Sequence, residues 1–142
     1  MRRWLRARRG DDEGSILPLT IGYAMIALVL VLVCADATSL YLAQKRLDAL
    51  ADAAALAGAD GFALTADDAG ATARLVSASV RRQAETLVAD VGAGAVLVDA
   101  DTPDGLSARV RVAGQWHPPV ITLFVPDGFT LEAQATSRTA LR

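Results

Sequence analysis

Few side chains in this sequence could take part in chemistry, and they do not form a catalytic set. His117 is the only histidine, and it lies in the proline-rich segment 116–119. Nucleophilic and acid–base catalysis need a nucleophile, a base and a group that orients the base, and no such set surrounds His117. We therefore interpret His117 as a structural residue and expect no enzymatic activity.

Asp99, Asp101 and Asp104 are close together in the sequence, and carboxylates are ligands that Ca²⁺ prefers. The run lacks the ligand spacing, the glycine and the distal glutamate of an EF-hand loop. Solvated acids at a turn are the favoured interpretation, with weak calcium binding as the alternative. The segment Gly92-Ala93-Gly94 has two glycines but not the third glycine of a phosphate-binding loop. We expect no metal, no cofactor and no small-molecule substrate.

A long apolar segment dominates the N-terminal part of the chain. Residues 15–35 are 21 consecutive uncharged residues, and they follow five arginines within residues 1–14. Eighteen or more largely apolar residues can cross a bilayer core of ~30 Å as one helix. The sequence therefore predicts a basic segment at residues 1–14 and a transmembrane helix at residues 15–35.

Charge predicts the orientation of this helix. Residues 1–14 carry a net charge of +2, from five Arg and three acids, whereas residues 36–142 carry −4, from nine bases and thirteen acids. By the positive-inside rule the N-terminus stays in the cytoplasm and the remainder lies outside, which predicts a single-pass protein of the cell (inner) membrane. No basic patch is large enough to indicate nucleic-acid binding.

Two kinds of processing are alternatives to an intact anchor. Ala35-Asp36-Ala37 fits the small-x-small pattern of a signal-peptide cleavage site, so release after Ala37 would give a secreted binding module. The apolar run is, however, longer than the usual signal-peptide core of about 7–15 residues. Gly14-Ser15 offers the glycine of a prepilin site, but position 19 is leucine instead of the usual glutamate.

The single charge at the outer end of the apolar run is Asp36. An acidic side chain at a membrane boundary can pair with a basic residue of a partner helix, or it can simply be hydrated. Cys34, the only cysteine, is expected to behave as a small hydrophobic residue at the membrane end.

The helical pattern continues past Asp36 without proline or glycine until Gly58. We predict that residues 36–61 form a helical stalk with one apolar stripe. Its packing positions are Leu47, Leu50, Ala54 and Ala57. The small residues of this stripe would permit close contact with partner helices, although alanine is also simply the best helix former.

The remaining residues 62–142 predict a small extracytoplasmic α+β domain. An amphipathic helix is expected over residues 66–91, with Thr65 as its N-cap. Alternating apolar residues predict strands at residues 95–101, 106–113 and 129–139, and Pro103-Asp104-Gly105 predicts the first turn. Residues 115–128 are expected to form a loop with a short helix or strand near residues 120–125. The layout is pilin-like, with a long helix against a small antiparallel sheet.

Residues 12–61 resemble the N-terminal module of tight-adherence (Tad, Flp) pilus-assembly proteins of the TadE/TadG type. The resemblance rests on the acidic-Gly-Ser entry before the apolar helix, the Tyr-Leu and Lys-Arg pairs after it, and the Ala-rich end. These are residues 13–15, 41–42, 45–46 and 52–58. The resemblance implies an envelope protein that is a structural or assembly component of a pilus or related secretion apparatus. It also implies that the N-terminal helix has the bilayer and other pilus components as partners.

Overall fold

The structure, a computed structural model, describes residues 13–67, 70–120, 122 and 125–138. Helix α1, Glu13–Ala59, has 47 residues and is ~70 Å long at 1.5 Å per residue. We call residues 16–35 its lower half and residues 36–59 its upper half. The helix runs through Asp36 without a break, as its sequence predicts.

A hairpin follows α1, where the sequence predicted the start of the second helix. Strands β1 (Phe62–Asp67) and β2 (Gly70–Leu75) pair antiparallel, with Phe62 opposite Leu75. The prediction of a helix over residues 66–91 is therefore wrong for residues 66–67 and 70–76, and Thr65 lies within β1 instead of capping a helix. Gly70 disfavours a helix by about 1 kcal/mol relative to alanine, and β-branched threonines favour strands.

Helix α2 spans Ser77–Val91. The chain enters it from Val76, which has an extended backbone and makes no side-chain capping bond. The preceding residue, Leu75, donates its backbone N–H to the carbonyl of Gly105 at 2.9 Å, which ties the hairpin to the β3–β4 turn. The helix starts late because this part of the chain is held as a strand up to that bond.

Three strands form the main sheet: β3 (Val96–Asp101), β4 (Ser107–Trp116) and β5 (Phe129–Arg138). They are antiparallel in the order β3-β4-β5, with a bulge between Leu97 and Asp99. The predicted strands are confirmed, and β4 continues three residues further, to Trp116. Part of the predicted element near residues 120–125 lies outside the described residues. Residues 120, 122 and 125 are in neither a helix nor a strand.

The core lies between one face of the sheet and the two helices. Alternate residues of β4 are buried, whereas Arg109 and Arg111 point away from the core. The core residues are Leu47, Ala51, Ala54, Ala55 and Ala59 of α1, Leu75 of β2, Val80, Ala84 and Val88 of α2, and Ala100, Ala108, Val110, Val112, Ala133 and Ala135 of the sheet. The α+β arrangement is confirmed.

The upper half of α1 is thus one layer of the domain. It packs against β4, β5 and α2. The sequence predicted a helical stalk at residues 36–61 and a sheet that buries one face on the helices. In the structure the sheet and α2 cover one face of this helical segment, and its small alanines permit their close approach. Gly58 shows how close this approach is: a Cβ there would lie 2.9 Å from Cγ1 of Val80 and 3.3 Å from Cβ of Ala108.

Candidate functional site

Within the described residues, no other element covers the lower half of α1. Every side chain from residue 16 to residue 35 is exposed, including Cys34. Ile16–Ala59 is the one helix within the described residues that is long and apolar enough to cross a membrane. A helix that is apolar on all sides needs an apolar environment on all sides, which a bilayer core provides.

The sheet meets α1 directly above this apolar surface, at a set of contacts that we call the junction: Asp36, Ser39, Trp116, Pro118 and Val120. The backbone N–H of Val120 donates to Oδ1 of Asp36 at 3.1 Å. The indole N–H of Trp116 donates to Oγ of Ser39, also at 3.1 Å. Pro118 is fully buried. These bonds fasten the end of β4 and the following loop to the first turn of the upper half.

Asp36 therefore has a partner within this chain. The sequence suggested a basic residue of a partner helix or hydration, whereas the half-buried carboxylate accepts a backbone hydrogen bond from a residue 84 positions away. No sequence signal indicates this pairing, because it depends on where the loop after β4 lies.

Aromatic side chains lie at the level of the junction along α1, with Trp116 and Phe129 on the sheet and Tyr41 on the side of the helix away from Ser39. The rings of Trp116 and Phe129 stack with centroids 6.1 Å apart, and Phe129 is 51% exposed. Tyr41 is 61% exposed, and Nζ of Lys45 lies 5.8 Å from the centroid of its ring. The end of the domain nearest to the apolar helix thus presents large rings to its surroundings.

The four predicted packing residues of the upper half face this chain's own fold. Leu47 and Ala54 are buried in the core, Leu50 packs against it, and Ala57 is half-buried. The first two are covered by the sheet and α2 and are not on a free surface. The apolar stripe is real, but its described contacts are internal.

A second stripe on the upper half remains exposed. Leu42, Ala49 and Leu56 are seven residues apart, on the side of the helix opposite to Leu47 and Ala54. Leu42 is 49% exposed and Leu56 is 59% exposed. The sequence contains the signal for this stripe, because a seven-residue spacing keeps side chains within about 20° per repeat on one face. We call these residues the outer stripe.

A groove of about 520 Å³ lies between the upper half of α1, the turn after α2 and the end of the sheet. Its lining is mostly small or apolar and includes Leu47 and Leu50, with Arg46 as its one charged residue. Among the described residues that line the groove there is no carboxylate and no histidine.

Two of the three acids that could bind calcium, Asp99 and Asp104, have separate partners. Asp104 accepts the backbone N–H groups of Leu106 at 2.9 Å and Ser107 at 2.6 Å, and the Ser107 hydroxyl at 2.9 Å. These bonds, with a smaller effect of Arg138, lower the pKa of the Asp104 carboxyl below its ordinary value. Asp99 instead forms an ion pair with Arg81 at 3.1 Å. No group of three or more potential metal ligands occurs in the described part of the chain.

The other predicted site residues lie at the two ends of the apolar segment. Gly14 and Ser15 are in the first turn of α1, so processing between them stays a prediction. Ala37 lies inside the continuous helix. His117 lies outside the apolar segment and is exposed beside the junction.

This arrangement defines a class of protein: a small α+β domain built on the upper half of a membrane-capable helix. Residues 14–61 match the family model described as "Putative Flp pilus-assembly TadE/G-like". The resemblance predicted from the sequence is thereby confirmed over those residues, which span α1 and end before the hairpin. No curated protein and no solved structure matches the chain. The family match and the helix together support a pilus-related membrane protein.

Proposed function

We propose that this protein is a structural, non-catalytic component of a Tad/Flp-type pilus or a related secretion apparatus, anchored in the inner membrane by α1. The observation that carries the proposal is the coincidence of the family match with the helix. The matched residues 14–61 include both the exposed, apolar lower half of α1 and the upper half, on which the domain is built. A role in assembly requires a surface for other components, and the outer stripe is the exposed apolar row above the membrane segment.

The proposed topology is a single pass with the N-terminus in the cytoplasm and the domain outside. It rests on the five arginines in residues 1–14, which oppose translocation of the N-terminal segment. Alkaline phosphatase fused after residue 138 should be active in cells, whereas a fusion before residue 13 should be inactive. The reverse pattern would exclude the proposed orientation.

We propose that partner helices of the apparatus bind the outer stripe. Small residues such as Ala49 permit close contact between helices, and the flanking leucines give the stripe apolar area. A partner that packs here would continue along the same face into the membrane, where Ile21, Leu28 and Ala35 keep the seven-residue spacing.

Site-directed cross-linking in cells that make the whole apparatus tests this proposal. In a Cys34→Ser background, a photo-crosslinking residue replaces Leu42, Ala49 or Leu56 one at a time. Defined adducts with other pilus or secretion components are expected. Arg109, on the opposite, outward face of the sheet, is the matched exposed control. Equal adducts from Arg109 and the stripe, or none from the stripe, would contradict the proposal.

Release after Ala37 is the alternative. That cut would separate Asp36 from Val120 and break a bond of the junction, so the intramolecular contacts favour an intact chain. N-terminal sequencing of the protein from membrane and extracellular fractions decides between them. A mature chain that starts at Thr38 supports release, and an intact N-terminus in the membrane supports the anchor. A start at Ser15 would indicate prepilin processing.

A further inference from the structure

We propose that the end of the domain at the junction is a second membrane contact, which lies in the outer interfacial layer of the bilayer. The surface consists of Tyr41, Trp116, Val120 and Phe129, and we call it the aromatic rim. Its partner is the lipid bilayer itself. The inference rests on the proposed anchoring of α1 in a membrane and goes beyond it, because an anchored domain need not touch the lipid.

Position along α1 is the first argument. The uncharged run ends at residue 35, so Asp36 marks the edge of the hydrocarbon core. Tyr41 is five residues further, a rise of ~7.5 Å along the helix. Headgroup regions add about 5–7 Å on each side of a core of ~30 Å. The bonds from Asp36 to Val120 and from Ser39 to Trp116 therefore hold the end of the sheet at headgroup depth.

Side-chain chemistry is the second argument. Amphipathic rings are enriched at membrane–water interfaces, where the ring contacts the acyl boundary and the polar atom stays hydrated. Tyr41 and Phe129 are more than half exposed, although large rings gain free energy by burial. The indole N–H of Trp116 is already bonded to Ser39, so the ring can be covered by lipid without leaving a donor unpaired.

Charge is the third argument, and it selects the type of contact. The sequence contains no lysine or arginine from residue 36 to residue 44 or from residue 116 to residue 129, and residues 36–142 carry a net charge of −4. Lys45, beside Tyr41, is paired with Asp48 at 3.4 Å. The charged side chains of these two segments are the acids Asp36 and Asp127, so no basic residue holds the contact. We therefore expect the rings to reach the interface without anionic lipid, in zwitterionic as well as anionic bilayers. Because α1 and the rim attach at different points, together they restrict the tilt of the domain.

Depth-dependent fluorescence quenching tests the inference on the full chain. Trp4→Phe leaves Trp116 as the only tryptophan. In phosphatidylcholine vesicles with spin-labelled lipids, a label at the headgroup or carbon 5 should lower Trp116 emission about twofold, and a label at carbon 12 should have less effect. Two further tryptophan reporters, each introduced into a protein that lacks Trp4 and Trp116, serve as controls for depth. Tyr23→Trp should be quenched most by the deep label, and Leu106→Trp, in the β3–β4 turn, should not be quenched.

The reporters separate the failure of the contact from the failure of the anchor. Quenching of Tyr23→Trp without quenching of Trp116 would overturn the rim contact and leave the anchor intact. No quenching of Tyr23→Trp would overturn both. Quenching of Trp116 that needs anionic lipid would overturn the apolar contact.

Trp116 could also be quenched because the domain lies near the bilayer without touching it. A pair of matched variants distinguishes contact from proximity. Phe129→Asp should reduce the quenching of Trp116 at least about twofold, because a carboxylate resists transfer into the interface. Leu106→Asp, at a site of similar exposure (46% against 51%), should leave it unchanged. Thermal unfolding monitored by near-UV circular dichroism verifies that both variants fold. Unchanged quenching in folded Phe129→Asp would overturn the proposal.

Discussion

The two halves of α1 belong to one continuous helix but face different surroundings. In the lower half every side chain is exposed, and nearly all are apolar. In the upper half one face is buried by the sheet and α2, and the opposite face carries charged residues beside the outer stripe. A helix that is apolar on all sides fits lipid, whereas an apolar stripe fits a protein core. The boundary at Asp36 is where the environment of the helix changes.

The difference also explains the use of small residues. In the lower half Gly22 has open space around it, with nothing within 4 Å of the position that a Cβ would take. In the upper half Gly58 and the buried alanines leave room for Val80 and for the sheet. The same residue types therefore contribute to a lipid-facing surface in one half and to tight packing in the other.

Charges should be tolerated in the upper half and rejected in the lower half. Replacing Leu28 and Val31 together by arginine should cost about 5–7 kcal/mol of insertion free energy, at about 2.5–3.5 kcal/mol for each charge. The protein should then be lost from the carbonate-resistant membrane fraction. Ala49→Arg with Leu56→Arg, on the exposed face of the upper half, should leave that fraction unchanged. Retention of the first variant would show that the lower half is not the membrane span.

Within the upper half, a buried and an exposed leucine should contribute differently to the free energy of unfolding. Leu47→Ala should lower the free energy of unfolding by about 2–4 kcal/mol, because it removes a buried side chain and leaves a cavity. Leu56→Ala should change it by less than about 0.5 kcal/mol. Urea unfolding in detergent, followed by the fluorescence of Trp116 with Trp4 replaced by Phe, measures both. Equal losses would contradict the assignment of Leu47 to the core.

Gly22 in the lower half and Gly58 in the upper half allow the same substitution to be compared in the two environments. Gly58→Ala should destabilise the domain by roughly 1–2 kcal/mol, because its Cβ would overlap the buried Val80 and crowd Ala108. Gly22→Ala should not lower stability, since alanine favours the helix and meets nothing. Thermal unfolding of the two variants in the same detergent is the measurement. A neutral Gly58→Ala would show that α2 can move away from α1.

At the boundary, Asp36 accepts one of the two hydrogen bonds of the junction. Asp36→Ala should cost about 0.5–1.5 kcal/mol and increase amide hydrogen exchange around Val120, because its acceptor is removed. Asp36→Asn keeps an acceptor oxygen and should protect that amide nearly as well. Asp52→Ala, an exposed acid elsewhere on the upper half, is the control. Unchanged exchange in Asp36→Ala would show that this bond does not hold the loop.

The smallest effect is expected far from the boundary, at the β3–β4 turn. The pKa of Asp104 is lowered in the folded state by the N–H groups of Leu106 and Ser107. Its contribution to stability is therefore complete above the unfolded pKa of about 3.9, and it is lost as the pH falls through the lower folded pKa. The difference in melting temperature between wild type and Asp104→Ala should shrink from pH 6 to pH 3. A difference that grows on acidification would contradict this sign.

Much of the architecture follows from local pattern. The lower half, the strands β3 to β5 and the turn at Asp104 are predictable because each depends on neighbouring residues. The hairpin of β1 and β2 was missed, since Ala69, Ala73 and Val76 extend the helical period of α2 in the sequence. The bond that ties Leu75 to Gly105 joins residues 30 positions apart, so no local pattern indicates it. The role of Asp36 was missed for the same reason, because its partner is 84 residues away.

The sequence alone determined that this chain has one long helix with an apolar lower half, and that its N-terminal part resembles TadE/G-like proteins. Both follow from composition and spacing within about 50 consecutive residues. Only the tertiary structure decided which face of the upper half is free. Leu47 and Leu56 are equally apolar in sequence, and it is the sheet packed on one side of α1 that buries the first and leaves the second exposed.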